Sequence, residues 1–417
     1  MERIADAARL VTGGVDTHAL THTAAVVDQI GRVLGSEEFS ATVNGHRAAL
    51  AWMRGHGTLV KVGVEGTGSY GAGLARALAV AGVEVVEVIR PNRQARRRRG
   101  KSDPADAVAA ALAALNGEAS GRPKARDGAV ESLRALQVAR RGAVKASNQA
   151  ANQLRDLIVT APAPLRAKLS PLATGERVAL AARFRPGELG DPGEAAKAAM
   201  ATIARRHQQL QAEIERQDAA LESLVARAAP PRFLAKQGVG LQVATTLLTT
   251  VGDNPERLAS EASFAALCGA SPVDASSGKQ RRHRLNPGGD RQANSALWRI
   301  VFVRMAHDPR TKAYLARRTA EGKTTKEIMR CLKRYVAREV YKALVAKREL
   351  AADAAPLRSC TRAERTPAPR RQQRLHVGRE PLRNDSVTRE EGRRDAPRRS
   401  TSRSRSKHVE VELAFRA

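Results

Sequence analysis

"LVKVGVEGTGSYGAGLARALAVAGVEVVEVI", Leu59 to Ile89, is the stretch that decides the fold class. It reads as an apolar strand, "LVKVGVEG", a helix, "GAGLARALAVAG", closing on Gly82, and a second strand, "VEVVEVI". A strand–helix–strand unit predicts a sheet with helices on its faces. Upstream, "GGVDTH" and "HTAAVVDQIG" read as a hairpin pair, "SEEFSATVN" as a third strand and "HRAALAWMRGHG" as a short helix. Downstream, the Ala-rich segment from Pro104 to Leu115 is helical on propensity. Gly13 to Leu115 is therefore expected to form an α/β domain, a mixed sheet with helices on its faces.

Beyond this domain the period becomes helical. Val130, Leu133, Val144, Ala151, Leu154 and Ile158 share one stripe. A second long helix is expected from Pro192 to Arg227, where Ile203, Leu210, Ile214, Leu221 and Leu224 make a heptad-like seam holding His207 and Gln217. The two read as an antiparallel arm joined by "TAPAPLRAKLSPLATG", or as an ordinary bundle. Arg232 to Leu350 is expected to be mainly helical, interrupted by a Gly-, Ser-, Arg- and Pro-rich loop from Ser271 to Asn294. The boundaries drawn are 1–125 for the α/β domain, 126–230 for the arm, 231–350 for the helical domain and 351–417 for a basic tail expected to be disordered.

A net charge of +30 on 417 residues directs attention to polyanions. The tail holds 17 basic and 9 acidic residues, so most of the positive charge belongs to the rest of the chain. No stretch approaches the apolar length of a membrane span, and no secretory leader is read at the start. Cys268, Cys331 and Cys360 are few and far apart, which excludes a disulfide framework and fits a reducing cytoplasm. Aromatics at 3% disfavour recognition by a broad stacking platform.

Four carboxylates are candidates for metal-assisted phosphodiester chemistry. Asp16 and Glu65 close two apolar strands, and Asp103 and Asp106 open a helix directly behind Arg96, Arg97, Arg98, Arg99 and Lys101. Hard divalent ions such as Mg²⁺ take oxygen ligands and clamp the oxygens of a phosphodiester. Each also has a structural reading: turn residues for Asp16 and Glu65, an N-cap for Asp103 before Pro104, a first-turn acid for Asp106. Gly238 and Gly240 in "GVGLQVATTLLTTVGD" suit a helix-hairpin-helix turn that lets backbone amides approach phosphate, or a plain helix–helix turn. Ser276 and Ser277, followed by Lys279, Arg281, Arg282 and Arg284, suit a nucleophile beside cations, or a simple loop. His18 and His22 in "HALTH" have the spacing of a helical metal pair but lie in strand-like sequence, and are read as non-ligating.

These blocks resemble the IS110 family of insertion-sequence transposases, which includes the Piv-type DNA invertases. The resemblance runs through "GVDTHALTHTAAVVD", "VGVEGTGSYGAGLARAL" and "VIRPNRQARRRRGKSDPADA". It resumes in "GVGLQVATTLLTTVGD", "FAALCGASPVDASSGKQRRHRLNPGGDRQANSALWRIVF" and "AEGKTTKEIMRCLKRYVAREVY", spanning about residues 13 to 347. It implies a RuvC-like, RNase H-type domain binding Mg²⁺ through Asp16, Glu65, Asp103 and Asp106, a coiled-coil arm and a mainly α domain. It also implies a serine that becomes linked to DNA, mapping to Ser277, with Ser276 one residue away. DNA, a structured non-coding RNA and a dimeric or tetrameric assembly are the implied partners. Pro287 stands where many members carry a basic residue. The expected function is DNA cleavage and rejoining for excision and insertion. The rival readings are a junction-resolving nuclease using water, and a non-catalytic nucleic-acid-binding relic.

Overall fold

The computed structural model describes residues 9–88, 102–278, 283–284 and 286–345. The N-terminal region holds five strands, β1 (Leu10–Thr17), β2 (Thr21–Asp28), β3 (Val33–Ser40), β4 (Thr58–Glu65) and β5 (Glu84–Val88), in the order β3-β2-β1-β4-β5. The first three run antiparallel, while β4 lies parallel to β1 and β5 parallel to β4. Helices α1 (Val43–Gly55), α2 (Ala72–Val80) and α3 (Asp103–Leu115) complete this layer structure. The strand–helix–strand reading of Leu59 to Ile89 and the hairpin upstream match these elements.

Alternation along β1 explains how the helices sit. A side chain on Gly13 would meet Met53 of α1, whereas one on the next residue, Gly14, would meet the backbone of α3. One face of the sheet therefore packs Val15, Val62 and Val64 with Met53, Leu74 and Leu78 of α1 and α2. The other face receives α3 through its small buried residues Ala107, Ala110, Ala111 and Ala114. An Ala-rich helix is what such close approach demands.

Helices α4 (Ala129–Thr160) and α7 (Pro192–Ala228) form the long arm. Arg140 pairs with Asp218, Ser147 with Gln211 and Gln153 with Arg206, so the two run antiparallel. The joining segment contains two helices missed by the sequence reading, α5 (Ala163–Leu169) and α6 (Thr174–Ala181). Their Leu165, Leu169 and Val178 pack with Leu154, Ile158 and Met200 as an apolar core at the arm's tip.

At the arm's base Leu133, Leu221 and Val225 join a larger core with Phe233, Leu247, Phe264, Leu297 and Ile300. That core is built on α8 (Pro231–Leu234), α9 (Leu241–Val251), α10 (Glu261–Leu267), α11 (Arg291–His307), α12 (Pro309–Ala320) and α13 (Thr325–Val345). A small hairpin, β6 (Val273–Asp274) and β7 (His283–Arg284), interrupts them. The loop expected up to Asn294 ends earlier, because Asp290 caps α11 by accepting from the amides of Gln292 and Ala293. Residues 346–417, the expected tail among them, lie outside the described residues.

Candidate active site

Two glycines bring the acidic residues to one place. Gly14 pairs with Gly63 across the parallel β1–β4 ladder. A Cβ on Gly14 would stand 2.1 Å from the Ala111 amide nitrogen, and one on Gly63 would stand 2.4 Å from the Ala110 carbonyl. Helix α3 thus rests directly on the two strands' backbones. Two residues further along each strand, alternation returns Asp16 and Glu65 to this same face. The Thr17 hydroxyl donates to the Glu65 carbonyl at 2.7 Å and ties the two strand ends.

The first turn of α3 carries Asp103 and Asp106 to these ends. Its cap position is Ser102, with extended backbone and no side-chain cap bond, so the helix begins one residue earlier than expected. Asp103 is the first helical residue and not the N-cap, which leaves its carboxylate for another partner. That partner is His18, whose Nε2 lies 3.2 Å from Asp16 Oδ2 and 3.5 Å from Asp103 Oδ1. One ligand atom from each of Asp16, His18 and Asp103 falls within 4.8 Å of the others. Asp16 is buried, His18 and Asp103 are half-buried, and the helix N-terminus favours negative charge here. Glu65, half-buried, and Asp106, buried, lie on β4 and α3 beside this group but are not members of it.

His18 and His22 part company at the hairpin. β1 ends at Thr17, so His18 stands in the turn against Asp16 and joins the candidate metal group, whereas the sequence reads it as non-ligating. His22 pairs with Thr17 in β2 and stacks on His46 of α1, ring centroids 5.4 Å apart. Burial lowers the pKa of both rings, and in His22 the neighbouring His46 lowers it further.

Two converging carboxylates and an imidazole suit a divalent cation. Carboxylate oxygens fit Mg²⁺ or Mn²⁺, and the imidazole nitrogen adds preference for Mn²⁺ over Mg²⁺. The donor set therefore fits the metal implied by the sequence.

The other candidates are placed as follows. Arg96, Arg97, Arg98, Arg99, Lys101, Lys279, Arg281 and Arg282 lie outside the described residues. Arg284 is exposed on β7, opposite Val273. The Ser276 amide donates to Asp274 Oδ1 at 2.9 Å and its hydroxyl donates to the same oxygen. That hydroxyl, followed by the amide, holds the Asp274 carboxyl below its ordinary range. Ser277 is exposed and precedes Gly278 at φ +56°. Gly238, at φ +87°, has a packing reason for lacking a side chain, since its Cβ would stand 3.0 Å from Ile300 Cα. Gly240 is exposed, with open space around it, at the start of α9.

Comparison with known proteins matches this architecture at both ends. Residues 13–161 match a family described as Transposase, of the DEDD IS110 type. Residues 232–316 match the Transposase IS116/IS110/IS902 family. The "Insertion element IS110 uncharacterized 43.6 kDa protein" of Streptomyces coelicolor is 36% identical over 95 residues. That match covers 22% of this chain and 23% of the relative, so it spans under a quarter of either.

Proposed function

Because the chain belongs to the IS110 family of transposases, we propose that it cleaves and rejoins DNA strands to excise and insert an insertion sequence. The observation that carries this reading is the convergence of Asp16, His18 and Asp103 where two strands and a helix meet. The order β3-β2-β1-β4-β5, three antiparallel strands followed by two parallel ones, supports an RNase H-like domain. The sheet and the arm's tip have cores of their own, which suits a division near residue 125 and α4 and α7 as a coiled-coil arm able to join copies of the chain, while the third core joins the arm's base to the C-terminal helices across residue 230. Cys331, half-buried, and buried Cys268 are both free thiols, which suits a reducing cytoplasm. No helix among the described residues is long and apolar enough to cross a membrane.

In this account Asp16 and Asp103, joined by Glu65 and Asp106, would hold Mg²⁺. The ion, when bound, neutralises charge on a scissile phosphate and positions its oxygens. His18, whose Nε2 faces both Asp16 and Asp103, would complete the donor set. Ser277 is the nucleophile: its oxygen bonds to phosphorus while the bond to the leaving sugar oxygen breaks, and the serine proton ends on that leaving oxygen. Attack by a hydroxyl of the second strand reverses the step and rejoins DNA. Ser277 is preferred to Ser276 because it is the serine directly before the glycine, the position that the family resemblance implies. Arg96 to Lys101 and Lys279 to Arg284 would hold nucleic acid, and the charge of +30 has room for a structured non-coding RNA beside DNA.

An excision and insertion assay with purified chain, element DNA and co-purified RNA tests the reading. Asp103→Ala and Ser277→Ala should each abolish strand exchange. Exchange that survives Ser277→Ala but not Asp103→Ala would point to water as nucleophile, as in a junction-resolving nuclease. Binding without cleavage by the unsubstituted chain would point to a non-catalytic relic.

A further inference from the structure

A second charged site lies away from the acidic residues, where the arm's base meets the C-terminal helices. A cleft of about 430 Å³ opens between α4, α9 and α11. Arg141 and Lys145 of α4 and Arg299 of α11 line it together with the amides of Gln137, Asn148 and Gln292. The volume is within the range of small-ligand sites and exceeds what a lone phosphate needs.

The cations in this cleft are not all used by the fold. Arg140, also on its wall, is paired with Asp218 at 2.8 Å, and Gln242 donates to that same carboxylate. Among the described residues no carboxylate lies within 4.0 Å of Arg141, Lys145 or Arg299. The acid that bears on Arg141 is Asp290, which is occupied in capping α11. Among the described residues Arg141 donates a side-chain hydrogen bond to the Thr246 hydroxyl alone, at 3.5 Å. Arg141 stays exposed, and its partial desolvation against the cleft wall, offset by Asp290, lowers its pKa from the ordinary value.

An aromatic surface adjoins these cations. Trp298 and Phe302 stack at 5.1 Å with rings 20° apart, and Phe302 is 55% exposed although the chain has few aromatics. Three residues of helix bring the chain round about 300°, so Phe302 stands about 60° from Arg299 on α11. Guanidinium and ammonium groups with amide donors recognise a phosphodiester, and an exposed ring beside them recognises a base.

We propose that this cleft grips a backbone phosphate of a nucleic-acid strand, with a neighbouring base on the exposed face of Phe302. The inference rests on the reading that the chain works on nucleic acid, and adds a site that neither the serine loop nor the acidic group supplies. It holds DNA or RNA through the same chemistry.

The test uses the full chain and fluorescence anisotropy with labelled single-stranded DNA, duplex DNA and hairpin RNA across a salt series. The triple variant Arg141→Gln/Lys145→Gln/Arg299→Gln should bind at least one probe about tenfold or more weakly, with a salt slope smaller by about two to three. The probe affected identifies the strand. A matched triple on exposed arm residues, Arg166→Gln/Lys168→Gln/Arg216→Gln, should change affinity less than about threefold. Ser295→Glu, an exposed position on the cleft wall, should weaken the same probe, which guards against misfolding of the triple variant. Equal effects of the two triples, or no effect of the cleft triple and of Ser295→Glu on any probe, would overturn the proposal. If the unsubstituted chain binds none of the probes, the nucleic-acid reading itself fails. If it binds and only the cleft variants are silent, the cleft alone is wrong.

Discussion

Gly14 of β1 lies so close to Ala111 of α3 that a β-carbon on the glycine would stand 2.1 Å from the Ala111 nitrogen. This contact is between backbones, so no side-chain rotation relieves it. The acidic site depends on it, because the same approach brings Asp103 to Asp16.

Gly14→Ala should therefore act on both stability and site. Overpacking of this kind costs about 1–3 kcal/mol, or more where backbone must move. A thermal melt should show a lower Tm, and divalent-ion affinity should fall in whatever fraction remains folded. An unchanged Tm would contradict the close packing.

His18→Ala removes the imidazole that lies 3.2 Å from Asp16 and 3.5 Å from Asp103. Mn²⁺ affinity by calorimetry should drop about tenfold, and Mg²⁺ affinity by less, since the nitrogen donor favours the former. His18→Gln should recover part of the loss. Equal affinities in the variant and the unsubstituted chain would remove His18 from the site.

Lys124 gives stability a pH dependence of its own. Its Nζ donates to the Thr249 carbonyl, and burial, followed by the charge on Arg257, brings its pKa to about 8 from 10.5. The folded state binds this proton less readily than the unfolded one, so Lys124 costs stability below pH 8. That cost is relieved as pH rises from about 8 to about 10.5, by at most about 3 kcal/mol. Lys124→Met should flatten this rise in denaturant titrations between these pH values. A rise unchanged by the substitution would assign it to other groups.

Cys268 should be inert in the folded chain. Burial, with Asp290 adding to it, pushes its thiol up to about 12, so almost no thiolate exists at pH 8. Cys331 is half-buried and should react first of the two. Mass mapping after brief alkylation checks this, and native labelling of Cys268 ahead of Cys331 would contradict the packing of α10.

Much of the sheet was legible because its signals are local. Short apolar runs, buried almost throughout, mark β1 and β2, β4 alternates only in its first half, and Gly82 at φ +73° closes the turn after α2. The heptad-like seam marked α7 for the same reason. What stayed hidden depends on distant partners. His18 joins Asp16 and Asp103 only because the hairpin turn folds it back, which no spacing in "HALTH" encodes. Gly238 suggested approach to phosphate, yet Ile300, more than sixty positions on, gives it a packing reason. The cleft of Arg141, Lys145 and Arg299 draws on two helices far apart in sequence, and each cation alone resembles an ordinary solvated side chain.

The central claim is that the acidic group and Ser277 act together on a DNA phosphodiester. Trapping end-labelled element DNA on the denatured protein tests it most directly. The unsubstituted chain with Mg²⁺ should give a labelled protein–DNA adduct, lost on chelation, in Asp103→Ala and in Ser277→Ala, while Ser276→Ala retains it. An adduct that persists in Asp103→Ala or in Ser277→Ala would contradict the account.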